Sequence, residues 1–313
     1  MDSDIKQKNA CVIGAGGFIG HNLVKRLKKD GWFVVGIDLK EPMFEKTSAD
    51  RFLVGDFRNL DLERNFFDRI YSLAAQMGGA GYIFTGENDA EILSENFDIN
   101  SQLLKQLKNY KGIVFYSSSV CCYPDGVEGR EENAYPANPP SLYGWEKLTS
   151  EQLYLACKKK YGLNVKIARF HNTFGPNGTY KGGREKFPAS ICRKVAETSS
   201  GGEIEIWGTG EQLRPFIFID DLLDGIEALL QSSETGPINL GPQETRLLKD
   251  VIELVIGISG KDLRIKYVDG PTGEIKRYTN CQLAKTKLNW EPKVSLEDAF
   301  KEMYSWVSLQ LWQ

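Results

Sequence analysis

Three glycines narrow the folds open to this chain more than any other feature. Gly14, Gly17 and Gly20 recur at every third position in Gly14-Ala15-Gly16-Gly17-Phe18-Ile19-Gly20. An apolar run from Ala10 to Ile13 precedes them, and a helical pattern from Phe18 to Lys29 follows. Strand, glycine turn and helix in that order make a dinucleotide-binding turn. One glycine permits the tight reversal, a second lets backbone approach a pyrophosphate, and a third lets the helix close on the strand. The helix N-terminus then faces the phosphates. The next apolar run, Trp32 to Ile37, ends at Asp38. A carboxylate there accepts bonds from ribose hydroxyls and repels a 2′-phosphate, so the expected cofactor is NAD. Asp56, after Leu53-Val54-Gly55, is a candidate adenine contact. The cofactor set is therefore Gly14, Gly17, Phe18, Ile19, Gly20, Asp38 and Asp56, joined by Tyr143 and Lys147 farther along the chain.

Strand and helix patterns keep alternating. Arg51 to Val54 and Asp68 to Leu73 read as strands, Ala90 to Lys108 as a helix, and Gly112 to Tyr116 as a strand. Leu142 to Tyr161 is a long helix, and Asn164 to Phe170 a further strand. Strict alternation implies an α/β fold with a Rossmann doubly wound parallel sheet. After residue 170 glycine and proline break the runs, as in Gly175-Pro176-Asn177-Gly178 and Gly270-Pro271. That half is expected to form a smaller mixed C-terminal substrate lobe over the carboxyl edge of the sheet, where ligands bind. The expected boundaries are 1–169 for the NAD-binding domain, with a return segment at about 214–235, and 170–213 plus 236–313 for the lobe.

Composition excludes several functions. A net charge of -3 gives no reason to expect nucleic-acid binding. No apolar stretch approaches membrane-spanning length, and the polar start Met1 to Lys8 lacks a secretory h-region. No membrane partner is expected, and the expected location is cytoplasmic. Six cysteines are too sparse for a disulfide scaffold, and no CxxC pair suggests zinc. Cys11, Cys157 and Cys192 read as small buried hydrophobes. His21 and His171 are the whole histidine supply, which argues against a His-based triad or a metal site.

The chemistry concentrates in two places. Ser117-Ser118-Ser119 ends a strand, and Tyr143-Gly144-Trp145-Glu146-Lys147 opens a helix. Tyr143 and Lys147 share a helix face. A nearby ammonium and a cationic nicotinamide favour the phenolate, so Tyr143 can take a hydroxyl proton during hydride transfer while Ser119 holds that hydroxyl. On Gly14-x-x-Gly17-x-x-Gly20, Ser117-Ser118-Ser119 and Tyr143-Gly144-x-x-Lys147, the chain resembles the extended short-chain dehydrogenase/reductase family. The resemblance implies NAD(P) and nucleotide-sugar substrates.

A thiol lies two residues past Ser119. Along an extended segment Cys121 points the same way as Ser119, and Cys122 points oppositely. A ketone at sugar C4 makes the C3 and C5 hydrogens acidic, and inversion needs a base on one face and an acid on the other. Ala74-Ala75-Gln76-Met77-Gly78-Gly79, Cys121, Arg169-Phe170-His171-Asn172 and Gly182-Gly183-Arg184-Glu185-Lys186 are similar to GDP-mannose 3,5-epimerase and its bacterial relatives. That resemblance implies Cys121 and Lys186 as opposed acid/base groups. It also implies a nucleotide-sugar site lined by Gly78, Ser119, Cys121, Asn172, Glu185, Lys186, Lys194, Gln212, Arg214 and Arg277, and a homodimer. Gln76 stands where the group usually has Asp, and Thr209 replaces an Asp. Two alternatives stay open: a 4,6-dehydratase or epimerase-reductase, and a non-catalytic dinucleotide sensor. A dehydratase usually carries an Asp-Glu pair where Val120-Cys121 stands.

Overall fold

The computed structural model describes residues 7–270 and 278–312. Its centre is a seven-stranded parallel sheet. The strands are β1 (Asn9–Ile13), β2 (Phe33–Asp38), β3 (Arg51–Val54), β4 (Arg69–Ser72), β5 (Ile113–Ser119) and β6 (Asn164–Phe170), joined late by β11 (Ile238–Leu240). Their order is β11-β6-β5-β4-β1-β2-β3. The expected return segment is thus followed by β11, which pairs with β6. Strand order reverses between β1 and β4, and the carboxyl ends there open the crevice in which such sheets bind ligands.

The crossovers are α1 (Phe18–Lys29), the short α2 (Ala80–Ile83), α3 (Asp89–Gln106) and α4 (Leu142–Tyr161). Sheet strands read as near-continuous apolar runs because helices cover both faces. Under α3 and α4, Cys11, Ile13, Val35, Leu103, Val114 and Tyr116 form one core. The other face packs on α1 and on α6 (Ile219–Gln231), and its core continues into the later elements. α4 has clear stop and start signals: Ser141 accepts from the Gly144 amide, and Gly162 ends the helix at φ 68.

The later chain makes short ribbons and helices. β7 (Asn172–Phe174) pairs in parallel with β10 (Phe216–Phe218), and β8 (Glu203–Trp207) with β13 (Arg264–Val268). β9 (Leu213–Arg214) is antiparallel to β12 (Arg246–Leu247). α5 (Phe187–Glu197), α7 (Leu248–Ser259), α8 (Gln282–Leu288) and α9 (Leu296–Leu311) complete the chain. α5, α7 and α9 bury Val195, Val255 and Phe300 in the same cluster as Val12 and Ala168 of the sheet. Cys11 and Cys192 are fully buried, whereas Cys157 is only half-buried on α4. No helix among the described residues is long and apolar enough to cross a membrane.

Candidate active site

The glycine turn is built by close approach. A Cβ on Gly14 would lie 2.6 Å from the Ala74 amide nitrogen, so the exits of β1 and β4 touch there. A Cβ on Gly16 would lie 2.1 Å from the Lys40 carbonyl. A Cβ on Gly17 would meet only the Gly14 carbonyl, at 3.4 Å, which leaves that side open. No side chain caps α1 behind Gly17, so its first-turn amides suit a phosphate. Phe18 and Ile19 open that helix and pack at the edge of the core. Asp38 accepts from the Gly16 amide at 2.9 Å and from the Lys40 amide at 3.3 Å, which fixes its carboxylate beside the turn. These features fit a dinucleotide. Asp56 instead caps the 3-10 turn Phe57–Asn59 and pairs with Arg58 at 2.6 Å. That side-chain bond holds its carboxyl below the usual range.

The hydride-transfer residues converge as the spacing predicts. β5 carries Ser119 to the crevice, and α4 lays Tyr143 and Lys147 against it. All three are at least nine-tenths buried. The Lys147 ammonium lies 5.4 Å from the Tyr143 ring centre and 5.1 Å from that of Tyr116. It also donates to the Ser117 carbonyl at 3.3 Å. Among the protein's own groups, burial pushes the Tyr143 hydroxyl up, the neighbouring Cys121 and Glu146 push it further, and a bond with Ser119 opposes them.

Cys121 reaches the site by a different route from the one its spacing suggests. β5 ends at Ser119, and Val120–Cys122 is a 3-10 turn, so strand alternation does not apply. Ser119 caps that turn by accepting from the Cys121 amide at 3.2 Å. The half-buried Cys121 then packs in a cluster with Tyr143, Ile83, Met77 and Tyr82. Cys122 is fully buried beside Val120, Tyr123 and Leu148. A Cβ on Gly144 would lie 2.1 Å from the Cys121 carbonyl, so the start of α4 presses directly on the thiol's backbone.

The segment from Lys181 to Lys186 closes the crevice as a strap. Gly182 and Gly183 adopt φ 97 and 88, which side chains rarely do. The Gly79 amide donates to the Arg184 carbonyl at 3.2 Å, and a Cβ on Gly79 would lie 2.4 Å from the Glu185 carbonyl. Arg184 lies over the Tyr82 ring at 4.4 Å. Lys186 follows, half-buried, at the start of α5. The Glu185 carboxylate turns to the Gly183 amide at 2.6 Å and to Arg193 at 3.5 Å. Gly78 faces Tyr82, whose Cβ would be 2.7 Å from a Cβ added there.

Lys194 donates to the Glu205 carbonyl at 2.5 Å, and burial lowers its proton affinity. Arg214 donates to the Leu213 carbonyl at 2.8 Å. Among the described residues the Gln212 carboxamide oxygen and the Asn172 amide nitrogen are buried without a hydrogen-bond partner, as groups reserved for a polar ligand would be. Arg277 lies outside the described residues. His171 is buried and contacts Thr279 at 3.2 Å and Cys281 at 3.6 Å. Among the described residues no cluster of His, Cys, Asp and Glu could hold a metal ion.

Sequence reasoning missed the polar layer beneath the site. Arg169, on β6, meets Glu151 through two bonds of 2.9 and 2.7 Å and donates to Tyr123 at 2.9 Å. Ser118 donates to the same carboxylate at 2.5 Å. Glu146, Ser150, Asn96 and Asn100 are also buried. The available signal was polar residues on the helix faces that must turn inward: Glu146, Ser150 and Glu151 beside Tyr143 and Lys147, and Asn96 with Asn100 one turn on.

Residues 10–241 match the model of the NAD dependent epimerase/dehydratase family. The chain is 37% identical over 312 residues to GDP-mannose 3,5-epimerase 1 of Oryza sativa subsp. indica, covering 96% of this chain and 82% of that one. UDP-glucuronic acid 4-epimerase from Bacillus cereus, solved with UDP-glucuronic acid and NAD, superposes with a TM-score of 0.84 at 27% identity. That match covers 96% of this chain and 99% of that one. UDP-glucose 4-epimerase from Thermotoga maritima, at 24% identity and TM-score 0.87, shares the fold over 97% of this chain and 99% of that one.

Proposed function

The chain belongs to the NAD dependent epimerase/dehydratase family, and we propose that it is a nucleotide-sugar epimerase of the GDP-mannose 3,5-epimerase kind. One observation carries this reading: Cys121 and Tyr143 share one cluster at the crevice, and the strap that holds Lys186 docks on Gly79 beside it. Hydride chemistry alone needs neither the thiol nor the strap.

Bound NAD supplies a hydride acceptor at sugar C4 that gives the hydride back at the end of the cycle. Ser119 holds the C4 hydroxyl, and Tyr143 takes its proton. Lys147 keeps a positive charge beside the phenol. With C4 a ketone, Cys121 takes the proton from C3 or C5, and Lys186 delivers one to the opposite face. Tyr143 finally returns its proton to the C4 oxygen, so no net oxidation results. Asn172, Glu185, Lys194, Gln212, Arg214 and Arg277 bind the substrate, with Gly78 passing close to the sugar. The cations answer the diphosphate. Gly14, Gly17, Phe18, Ile19, Gly20, Asp38 and Asp56 hold the cofactor. Arg277 enters by resemblance to the relative alone.

The molecule divides into an NAD-binding domain and a nucleotide-sugar lobe, and it works in the cytoplasm as a homodimer. Exposed Leu93 and Phe97 on α3, and Leu142 and Trp145 on α4, support a paired face on these two packed helices.

The test is incubation with GDP-mannose in deuterated water. Deuterium at C3 or C5, lost in Cys121→Ala while NAD stays bound, is the expected result. Full exchange in that variant removes Cys121 as the base. No exchange with any nucleotide sugar overturns the epimerase reading.

A further inference from the structure

The least explained group near the chemistry is Glu146. It is fully buried on α4, beside Lys147 in sequence. One carboxylate oxygen accepts from Ser150 at 2.7 Å and from Asn100 at 3.3 Å. The other is buried and accepts no hydrogen bond among the described residues. It lies 3.5 Å from the Lys147 ammonium. A glutamine carbonyl could serve Ser150 and Asn100 equally well. The second oxygen, and with it the negative charge, serves only Lys147.

We propose that Glu146 is a positioning residue: its buried carboxylate pairs with the Lys147 ammonium, offsets that cation's pull on the phenolate and so raises the pH at which Tyr143 yields its proton. The inference rests on Tyr143 being the acid–base group, and it does not depend on which sugar is bound.

The surrounding groups are consistent with this role. Tyr143, Lys147, Glu151 and Tyr154 face the pocket from α4, Tyr116 from β5, and Cys121 and Cys122 from the 3-10 turn. β4 and α3 contribute Ser72, Asn96 and Asn100, and the α3 carboxylate Glu95 accepts from the Gln76 side chain at 2.9 Å. Lys147 is the cation paired with Glu146, while the other buried cation of this layer, Arg169 on β6, is bonded to Glu151 at 2.7 Å. Burying the carboxylate strengthens its field. Its acceptance from Asn100 also ties it to the substrate side. Asn100 donates to the Asn96 carbonyl at 2.9 Å, and Asn96 clasps the Gln76 backbone at 2.5 and 3.1 Å. The hold on Lys147 and the turn leading to Gly78 thus belong to one hydrogen-bonded unit.

Glu146→Gln keeps an acceptor for Ser150 and Asn100 and removes the charge. The readout is tyrosinate absorbance of NAD-loaded protein across an alkaline titration, with Tyr143→Phe as the blank. Removing a nearby negative charge should lower the Tyr143 midpoint by about one pH unit. The thermal midpoint should stay close to that of the parent protein. An unmoved Tyr143 midpoint, with or without loss of thermal stability, overturns the proposal. If Glu146→Gln does not fold, Glu146→Asp draws the charge back by one methylene. A shift in the same direction supports the proposal, and an unmoved midpoint overturns it. Because no substrate is present, a failed GDP-mannose assay leaves this result standing.

Discussion

Adding one methyl group at Gly79 should uncouple the strap from the crevice. A Cβ there would sit 2.4 Å from the Glu185 carbonyl oxygen, against an ordinary contact of 3.4 Å. The shortfall is about 1 Å (3.4 less 2.4), and the obstructing atom is backbone, so no side-chain rotation relieves it. The strap must retreat and take Lys186 with it, because Glu185 and Lys186 are consecutive and α5 begins at Phe187. A displacement near 1 Å of a reacting group costs on the order of 100-fold in rate. Overpacking of this kind costs about 1–3 kcal/mol of stability, which a domain of this size tolerates. Gly79→Ala should therefore bind NAD normally and lose about 100-fold in deuterium incorporation from solvent into GDP-mannose. The assay is mass spectrometry of the recovered sugar nucleotide, with bound NAD measured in parallel. Exchange within about threefold of the parent rate would refute the reasoning, since a strap that absorbs such a shift does not position a catalytic group.

Other outcomes follow from the same structure. Arg169→Met leaves Glu151 charged and buried, and urea unfolding should show a loss of about 3–5 kcal/mol; the double variant with Glu151→Leu should recover much of it. Asp38→Asn removes the anchored charge beside the glycine turn. NAD affinity, read by cofactor titration, should fall about tenfold, and the preference over NADP should narrow. Burial pushes the Cys11 and Cys281 thiols up to about 12, from 9.0 in the unfolded chain. The native state then holds more protons than the unfolded state between those values, so stability present below pH 9 falls as pH rises toward 12. Cys11→Val should flatten that decline by about 1.4 kcal/mol per pH unit in denaturant titrations. Phe97→Lys together with Trp145→Lys should yield monomers by sedimentation if the α3–α4 face pairs two copies.

The fold was legible because its elements obey local rules. α1, α4, β3 and β6 begin and end where the apolar and helical periodicity places them. β11 was not legible: Ile238–Leu240 is three residues long, too short for a pattern, and its place is set by pairing with β6. At the site, Tyr143 and Lys147 were readable because four residues on a helix make one face. Cys121 was readable by residue type but not by geometry, since nothing in Ser119-Val120-Cys121 announces that the strand stops. The effect of burial on the proton affinity of Tyr143 was not legible for a different reason. Desolvation depends on how completely neighbours cover the ring, and one-dimensional spacing does not carry that. Glu146, Glu151 and Arg169 escaped notice because buried ion pairs such as Glu151 on α4 with Arg169 on β6 are matched only in the folded state.

The contact between Gly144 and the Cys121 carbonyl has a mechanical consequence. With no side chain between them, the thiol's turn and the start of the Tyr143 helix are registered to each other like two jaws cast in one piece. A cycle that oxidises at one carbon and exchanges protons at its neighbours therefore cannot be timed by moving these jaws apart. Any repositioning between stages falls to the sugar ring turning within the crevice or to the strap across its mouth. Mutations that alter the order of steps should accordingly map to residues that grip the sugar and the strap, and leave the jaws unchanged.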